Sequence, residues 1–412
     1  MGENALLRVG FGRTDITGNS ALPMGGYGDP LNRISEGVLA LLCATCVAIT
    51  DPAGKTVLLY TIDHLCTNQD WMPDLRAVIT AATGVPEGHI MLCATHTHAG
   101  PDVRNTIGMD HPYYAYFKAQ LVQAAQLAME DRAESTAHTG DTYVQNLNFV
   151  RHYRMADGNM AGDNFGDSSV GAVSNHHPAD DQVRLIRFSR QEKPDILLMN
   201  FQVHPKLSST GCSRYGRANR LLMSSDIVGA TRAYVEENAP VLVAYYQGAA
   251  GNLNPVEPYL TAPGKEKRQS LEAYGAALGG AVVEAMDALK PMTAEPVLKV
   301  TGDVFETRHK KDGSLLSMEL NAISLGDIAF VTAPYEMFDT HGKQIREGSP
   351  FGTTFVLTYA NGRFGYIATE ETWDYRTADG RIAWELVLGY VTKGTGEQLV
   401  QRFVAMLQAQ YR

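Results

Sequence analysis

Residues 90–101 read Ile90-Met91-Leu92-Cys93-Ala94-Thr95-His96-Thr97-His98-Ala99-Gly100-Pro101, an apolar run that meets two histidines one residue apart and then a Gly-Pro turn. A short apolar run bounded by turn chemistry predicts a buried strand. Side chains at i and i+2 of an extended chain share a face. His96 and His98 are therefore expected to lean into one cleft from a strand end. A second apolar run, Ile196 through Val203, stops in the same way at His204-Pro205. Zinc takes three or four N, O or S donors. Two strand-end histidine sites suggest a metal centre, although His204 taken alone reads more simply as a structural histidine.

Working outward, apolar strands alternate with amphipathic helices along the whole chain. Periodicity predicts helices near 72–83, 112–134, 226–238, 267–289, 336–346 and 395–409. Strands are expected near 38–50, 56–62, 89–95, 183–189, 195–203, 240–246, 297–306, 317–332 as a hairpin, and 353–359. The turn Asp51-Pro52-Ala53-Gly54-Lys55 makes the first two a buried hairpin. This mixture predicts an α/β fold with mixed β-sheets flanked by helices. No Pro/Ser/Gly-rich linker or charge run divides it, so residues 1–412 read as a single domain. Glycines and acids fill 157–182, which predicts an irregular loop of the length that lids often have. No repeat of 20–50 residues is present.

The chain has 412 residues, 44% of them hydrophobic, and a formal net charge of −10. That balance argues against an electrostatic footprint for nucleic acid or an anionic membrane. The N-terminus has no basic segment followed by an apolar one, so no signal peptide is expected, and the longest apolar run is too short to span a bilayer. Five cysteines, an odd number in a long chain, do not make a disulfide framework and point to a reducing cytoplasm. Cys43-x-x-Cys46 lacks a second pair, and i, i+3 residues of a strand face opposite sides; burial explains it better than a metal.

Thr95-His96-Thr97-His98-Ala99-Gly100-Pro101 resembles the THTHxGP motif of the neutral/alkaline (non-lysosomal) ceramidases, and further segments resemble that family in the same order. They are Gly10 through Gly18, Met24 through Tyr27, Asn200 through Pro205, Ser225 through Gly229, Gln247 through Pro255, Pro334-Tyr335-Glu336, and Asn361 through Thr369. The resemblance implies the fold of that family's catalytic domain. It also implies a zinc ion held by His96, His204, Glu336 and Tyr366, with Tyr359 as the alternative tyrosine. His98 is implied as the catalytic neighbour of the metal, or as a hydrogen-bonded partner of a ligand. Arg151 lies where the family has a substrate-contacting arginine, although Val150 stands in place of an asparagine. Gln247, in the Gln247 through Pro255 segment, is a candidate substrate contact.

The family's GDxSP segment supplies a catalytic serine, and this chain reads Gly251-Asn252-Leu253-Asn254-Pro255. Asn254 can orient a substrate or support an oxyanion but cannot be acylated. The chain also lacks length for the C-terminal β-sandwich domain of full ceramidases, so stable membrane association is not expected. Together these features suggest a zinc-dependent hydrolase that uses metal-activated water on a small soluble amide or ester. A zinc-dependent lyase or isomerase acting on a hydroxylated, sugar-like substrate is the alternative, and a non-catalytic binding protein on the same scaffold is the third reading.

Several residues carry two readings. Arg214, Arg217 and Arg220 suit an anionic substrate group or are scattered charges on a solvated loop. Asp226, at a helix start, is an N-cap or a general base. Asp63, before His64, is positioned to orient a metal-bound histidine or simply to cap and pack. His176-His177 reads as a solvated pair.

Overall fold

The structure, a computed structural model, describes residues 6–18, 21–27, 30–104, 106–162, 172–208, 221–255 and 270–412. Eight strands form the path of the larger sheet: β1 (Arg8–Asp15), β2 (Cys43–Thr50), β3 (Thr56–Ile62), β4 (Ile90–Ala94), β5 (Ala133–Tyr143), β6 (Gln182–Arg190), β7 (Asp195–Phe201) and β8 (Val241–Gln247). Their order is β8-β7-β6-β5-β1-β2-β3-β4. The pairs at its two ends, β3 with β4 and β7 with β8, are parallel, and the rest are antiparallel. A second sheet holds β9 (Leu298–Arg308), β10 (Leu315–Leu325), β11 (Ile328–Ala333) and β12 (Thr353–Thr358), with β11 and β12 parallel. The seven helices of the described residues are α1 (Met72–Thr83), α2 (Pro112–Glu130), α3 (Asp226–Asn238), α4 (Leu271–Ala285), α5 (Asp339–Gly348), α6 (Trp384–Leu388) and α7 (Thr395–Tyr411).

Strand alternation sorts the core into layers. On β2, Val47 and Ile49 face the second sheet and share a cluster with Ile323, Phe330 and Phe355. Cys46 and Ala48 face the other way, onto α1 and α2 through Leu75, Ile79, Phe117 and Leu121. The outer face of the second sheet packs on α5 and α7 through Ile345, Leu399 and Phe403. Strands buried on both faces have no polar side, which is why they read as unbroken apolar runs.

The predicted hairpin forms, with Thr50 opposite Thr56. The helices at 72–83 and 226–238 form at their expected bounds. The helix expected over 336–346 instead begins at Asp339, because Glu336–Met337 is a short strand pairing in parallel with Tyr366–Ile367. The expected loop at 157–182 is partly sheet: Met160–Gly162 and Ala172–Asn175 flank His152–Met155. Two long strands carry no obvious pattern. In β1, Gly10 and Gly12 replace apolar residues because α2 lies against them: a Cβ there would meet the carbonyls of Ala128 and Ala124 at 2.0 and 2.1 Å. In β5, mostly polar residues form a strand because β6 pairs with them along nine positions.

This arrangement positions the site. Strands β4, β7, β11 and β12 end at Ala94, Phe201, Ala333 and Thr358, and within three residues of those ends lie His96, His204, Glu336 and Tyr359. Ligands of open α/β sheets gather outside the carboxyl ends of strands.

Candidate metal centre

The chain turns sharply after β4. His96 has a left-handed backbone, φ 69°, which is uncommon for a residue with a Cβ. The loop is pinned on every side. Thr95 Oγ1 donates to Asp63 Oδ1 at 3.1 Å, Thr97 Oγ1 donates to the Ser224 carbonyl at 2.7 Å, and the His98 amide donates to the Pro205 carbonyl at 3.0 Å. The two histidines thus converge through this turn and not through the extended chain that their spacing suggests. Their Nε2 atoms lie 3.2 Å apart.

His204 joins them, with its ring centroid 4.8 Å from that of His96 and 5.4 Å from that of His98. All three rings are buried, and one nitrogen from each falls within 4.8 Å of the others. Nδ1 of His96 is 2.6 Å from the Leu65 carbonyl and Nδ1 of His204 is 2.8 Å from the Leu253 carbonyl. A carbonyl only accepts, so each Nδ1 carries the proton and each neutral ring presents a bare Nε2 to the centre. Burial pushes the His96 imidazole down to about 3, with the Glu336 charge opposing, and drives His98 and His204 well below their ordinary range. Near pH 7 all three are neutral donors.

Glu336 supplies the charge. Its Oε2 lies 3.7 Å from His96 Nε2 and 3.6 Å from His204 Nε2. The parallel register sets Tyr366 beside it. Burial, followed by the Glu336 charge, raises the phenols of Tyr366 and Tyr359 well above their ordinary range. Tyr359 also stacks on His96 with ring centroids 3.8 Å apart and planes 14° from parallel.

The donor set fits zinc. Ligands about 2.0–2.1 Å from a tetrahedral ion stand roughly 3.3–3.4 Å apart, and Glu336 Oε2 stands 3.7 and 3.6 Å from the Nε2 atoms of His96 and His204. His204 Nε2 and Glu336 Oε2 are buried without a hydrogen-bond partner among the described residues. Buried polar atoms normally have one, and a cation satisfies both at once.

Arg151 flanks the centre, its guanidinium carbon 5.4 Å from the Tyr366 ring centroid. It donates from Nε to Glu385 Oε1 and from Nη2 to the Gly251 carbonyl, each at 2.7 Å. Burial opposes its charge, but Glu385, Tyr366 and Glu336 together outweigh that and hold the guanidinium above its ordinary value. His152 Nε2 lies 3.0 Å from the other oxygen of Glu385. Glu385, on α6 and buried, is absent from the residues singled out by sequence: a lone carboxylate 234 positions from Arg151 carries no local signal.

The remaining candidates divide. Asn254 is buried in a short strand paired with Phe149, next to the carbonyl of Leu253 that orients His204. Gln247 donates to the Val203 carbonyl at 2.8 Å and is buried at the end of β8. Asp226 stands apart from the histidines: its carboxylate accepts from the amides of Leu207, Ser208 and Ile227 and anchors the segment after His204. Among the described residues Asp63 pairs with Arg232 and Thr95 and touches no ring nitrogen, so backbone carbonyls orient His96 and His204. His176 is not a freely solvated residue: it bonds Glu371 at 3.0 Å and Tyr375 at 2.7 Å, and His177 lies 3.6 Å from Asp339. Arg214, Arg217 and Arg220 lie outside the described residues.

No protein-family model matches this chain, and no curated protein matches it. Solved structures do. The neutral ceramidase from Pseudomonas aeruginosa superposes with a TM-score of 0.77 at 18% identity, covering 99% of this chain and 75% of that one. A structure described as ceramidase complexed with C2 gives a TM-score of 0.77 at 16% identity, with the same coverage. Among the described residues no helix is long and apolar enough to cross a membrane. The chain therefore has the neutral ceramidase fold, with a cluster of three buried histidines and one carboxylate at the carboxyl ends of its strands.

Proposed function

We propose that this chain is a zinc-dependent hydrolase of a small soluble amide or ester. The observation that carries the reading is the convergence of His96, His204 and Glu336 at the spacing of ligands around one ion, with two of the three facing atoms otherwise unpartnered. These residues would hold zinc, with Tyr366 as the fourth donor. Bound there, zinc supplies a Lewis acid for a carbonyl oxygen and acidifies water towards neutrality.

The chain's own residues do the rest. Arg151, fixed by Glu385, offers a permanent positive charge to oxygen that becomes anionic during reaction. His98 is neutral near pH 7 and lies within reach of the ligand His96, where it can relay a proton. Asn254 holds an amide near His204 that can orient a substrate but cannot be acylated. That makes water the attacking group and distinguishes the chemistry from the serine-bearing ceramidase motif. The compared structures are ceramidases by description, and the amide or ester assignment takes its bond type from them. The asparagine also favours one second reading, a zinc-assisted lyase or isomerase acting on a hydroxylated substrate.

Turnover in ¹⁸O-labelled water separates the two. Hydrolysis puts one labelled oxygen into the acid product; product free of label sinks the hydrolase reading and leaves the lyase or isomerase. The free thiols at Cys43, Cys46, Cys66 and Cys93 suit a reducing cytoplasm, and the charge of −10 suits a protein without nucleic-acid partners.

A further inference from the structure

A second cleft, of about 420 Å³, opens between β5, β6 and the ends of α4 and α5. None of the histidine-cluster residues lines it. Its wall carries Arg184, Arg346 and Lys290 against a single carboxylate, Asp141, with Gln182 and Thr354 as neutral hydrogen-bonding groups. Behind the wall both arginines draw on one oxygen: Asp180 Oδ2 lies 3.5 Å from Arg184 Nη2 and accepts a hydrogen bond from Arg346 Nη2. Arg184 spends its other bonds on Gln182 and Gln202. Among the described residues Arg346 makes no other side-chain hydrogen bond, which leaves Nε and Nη1 without an acceptor.

Two other buried arginines are served differently. Arg151 takes one oxygen of Glu385 and Arg232 takes both oxygens of Asp63, and each guanidinium is held above its ordinary value. Arg184 is pushed down to about 9 and Arg346 is also lowered, in each case by burial first. Arg346 adds to the effect on Arg184 by repulsion. Two desolvated forks sharing one carboxylate oxygen lack the anion that such forks match.

We propose that this cleft binds a small oxyanion, inorganic phosphate or the phosphate group of a small monoester, between Arg184, Arg346 and Lys290. Gln182 gives one Nε2 hydrogen to Asp141 and Thr354 Oγ1 bonds Ser349 Oγ, so the second Nε2 hydrogen of Gln182 is the neutral donor offered to its remaining oxygens. The site is independent of the metal centre and does not rest on the hydrolase reading.

Calorimetric titration of the full chain with inorganic phosphate, and separately with glycerol 2-phosphate, tests it. Saturable binding with a Kd below about 1 mM near 0.15 M salt is expected. Arg346→Gln and Lys290→Ala should each weaken it by about tenfold or more, the loss of one charge-assisted contact, in proteins whose circular dichroism and melting are unchanged. His96→Ala/His204→Ala should bind as tightly as the parent, which excludes phosphate held by zinc. Equal affinity for the two probes identifies free phosphate as the ligand, and much tighter binding of glycerol 2-phosphate identifies a monoester. No saturable binding of either probe would overturn the proposal. So would binding that survives Arg346→Gln and Lys290→Ala but disappears in His96→Ala/His204→Ala.

Discussion

His96 and Tyr359 stack ring on ring, and both hold left-handed backbones, φ 69° and 53°. Such positions cost of order 1 kcal/mol or more each and persist where surrounding structure over-determines them. Here the Ala94 amide donates to the Tyr359 carbonyl and Asn361 Oδ1 accepts from the Leu92 amide, so the two turns brace one another. The two tyrosines should behave differently. Tyr366→Phe removes the proposed fourth donor and should weaken zinc affinity about tenfold or more. Tyr359→Phe removes a hydroxyl outside the proposed ligand set and keeps the ring stacked on His96, and zinc affinity measured by competition with a chelating dye should change less than about threefold. His64 provides a test through pH. Burial holds it at about 3, below its ordinary 6.5, so the unfolded chain takes up a proton that the folded chain refuses. Its stabilising effect is full above pH 6.5 and is lost as pH falls towards 3, by up to about 1.4 kcal/mol per pH unit. His64→Phe should flatten the fall in melting temperature between pH 6.5 and 4; Tyr113 Oη keeps the Ile16 carbonyl as acceptor. An unchanged slope would mean that His64 is not the group responsible. At this scale strand-end histidines are legible because an apolar run stops on them. Glu385 is not, because its meaning exists only after folding brings it to Arg151 and His152.

Two devices among the elements hold the site in place. Helix α2 packs flat on β1 because Gly10 and Gly12 have no side chains there. Gly12→Ala puts a Cβ 2.1 Å from the Ala124 carbonyl, which forces the helix away and should cost roughly 1–3 kcal/mol in urea unfolding. A melt equal to the parent's would show that α2 is not seated as described. The buried Arg232–Asp63 pair ties α3 to the loop that carries His96 through Thr95. Arg232→Met strands a buried carboxylate and should cost about 3–5 kcal/mol. Apolar runs make β2, β3, β7, β8 and β12 readable from sequence, since burial on both faces leaves no polar residues. Strand β5, exposed or half-exposed along most of its length, is held by pairing with β6, and pairing leaves no mark in composition. Glu336–Met337 reads as helix because α5 follows at once; the parallel partner 30 residues later decides otherwise.

For the whole molecule, two sheets pack face to face with helices outside, so the carboxyl ends of β4, β7, β11 and β12 meet at one rim. No two of the four residues His96, His204, Glu336 and Tyr366 come from one element, so the site exists only when the sheets are assembled. The most direct measurement is elemental analysis of the full chain purified without added metal or chelator. The account predicts about one zinc per chain, reduced to background in His96→Ala/His204→Ala. Less than about a tenth of an equivalent of any transition metal, persisting after reconstitution with zinc, would contradict it.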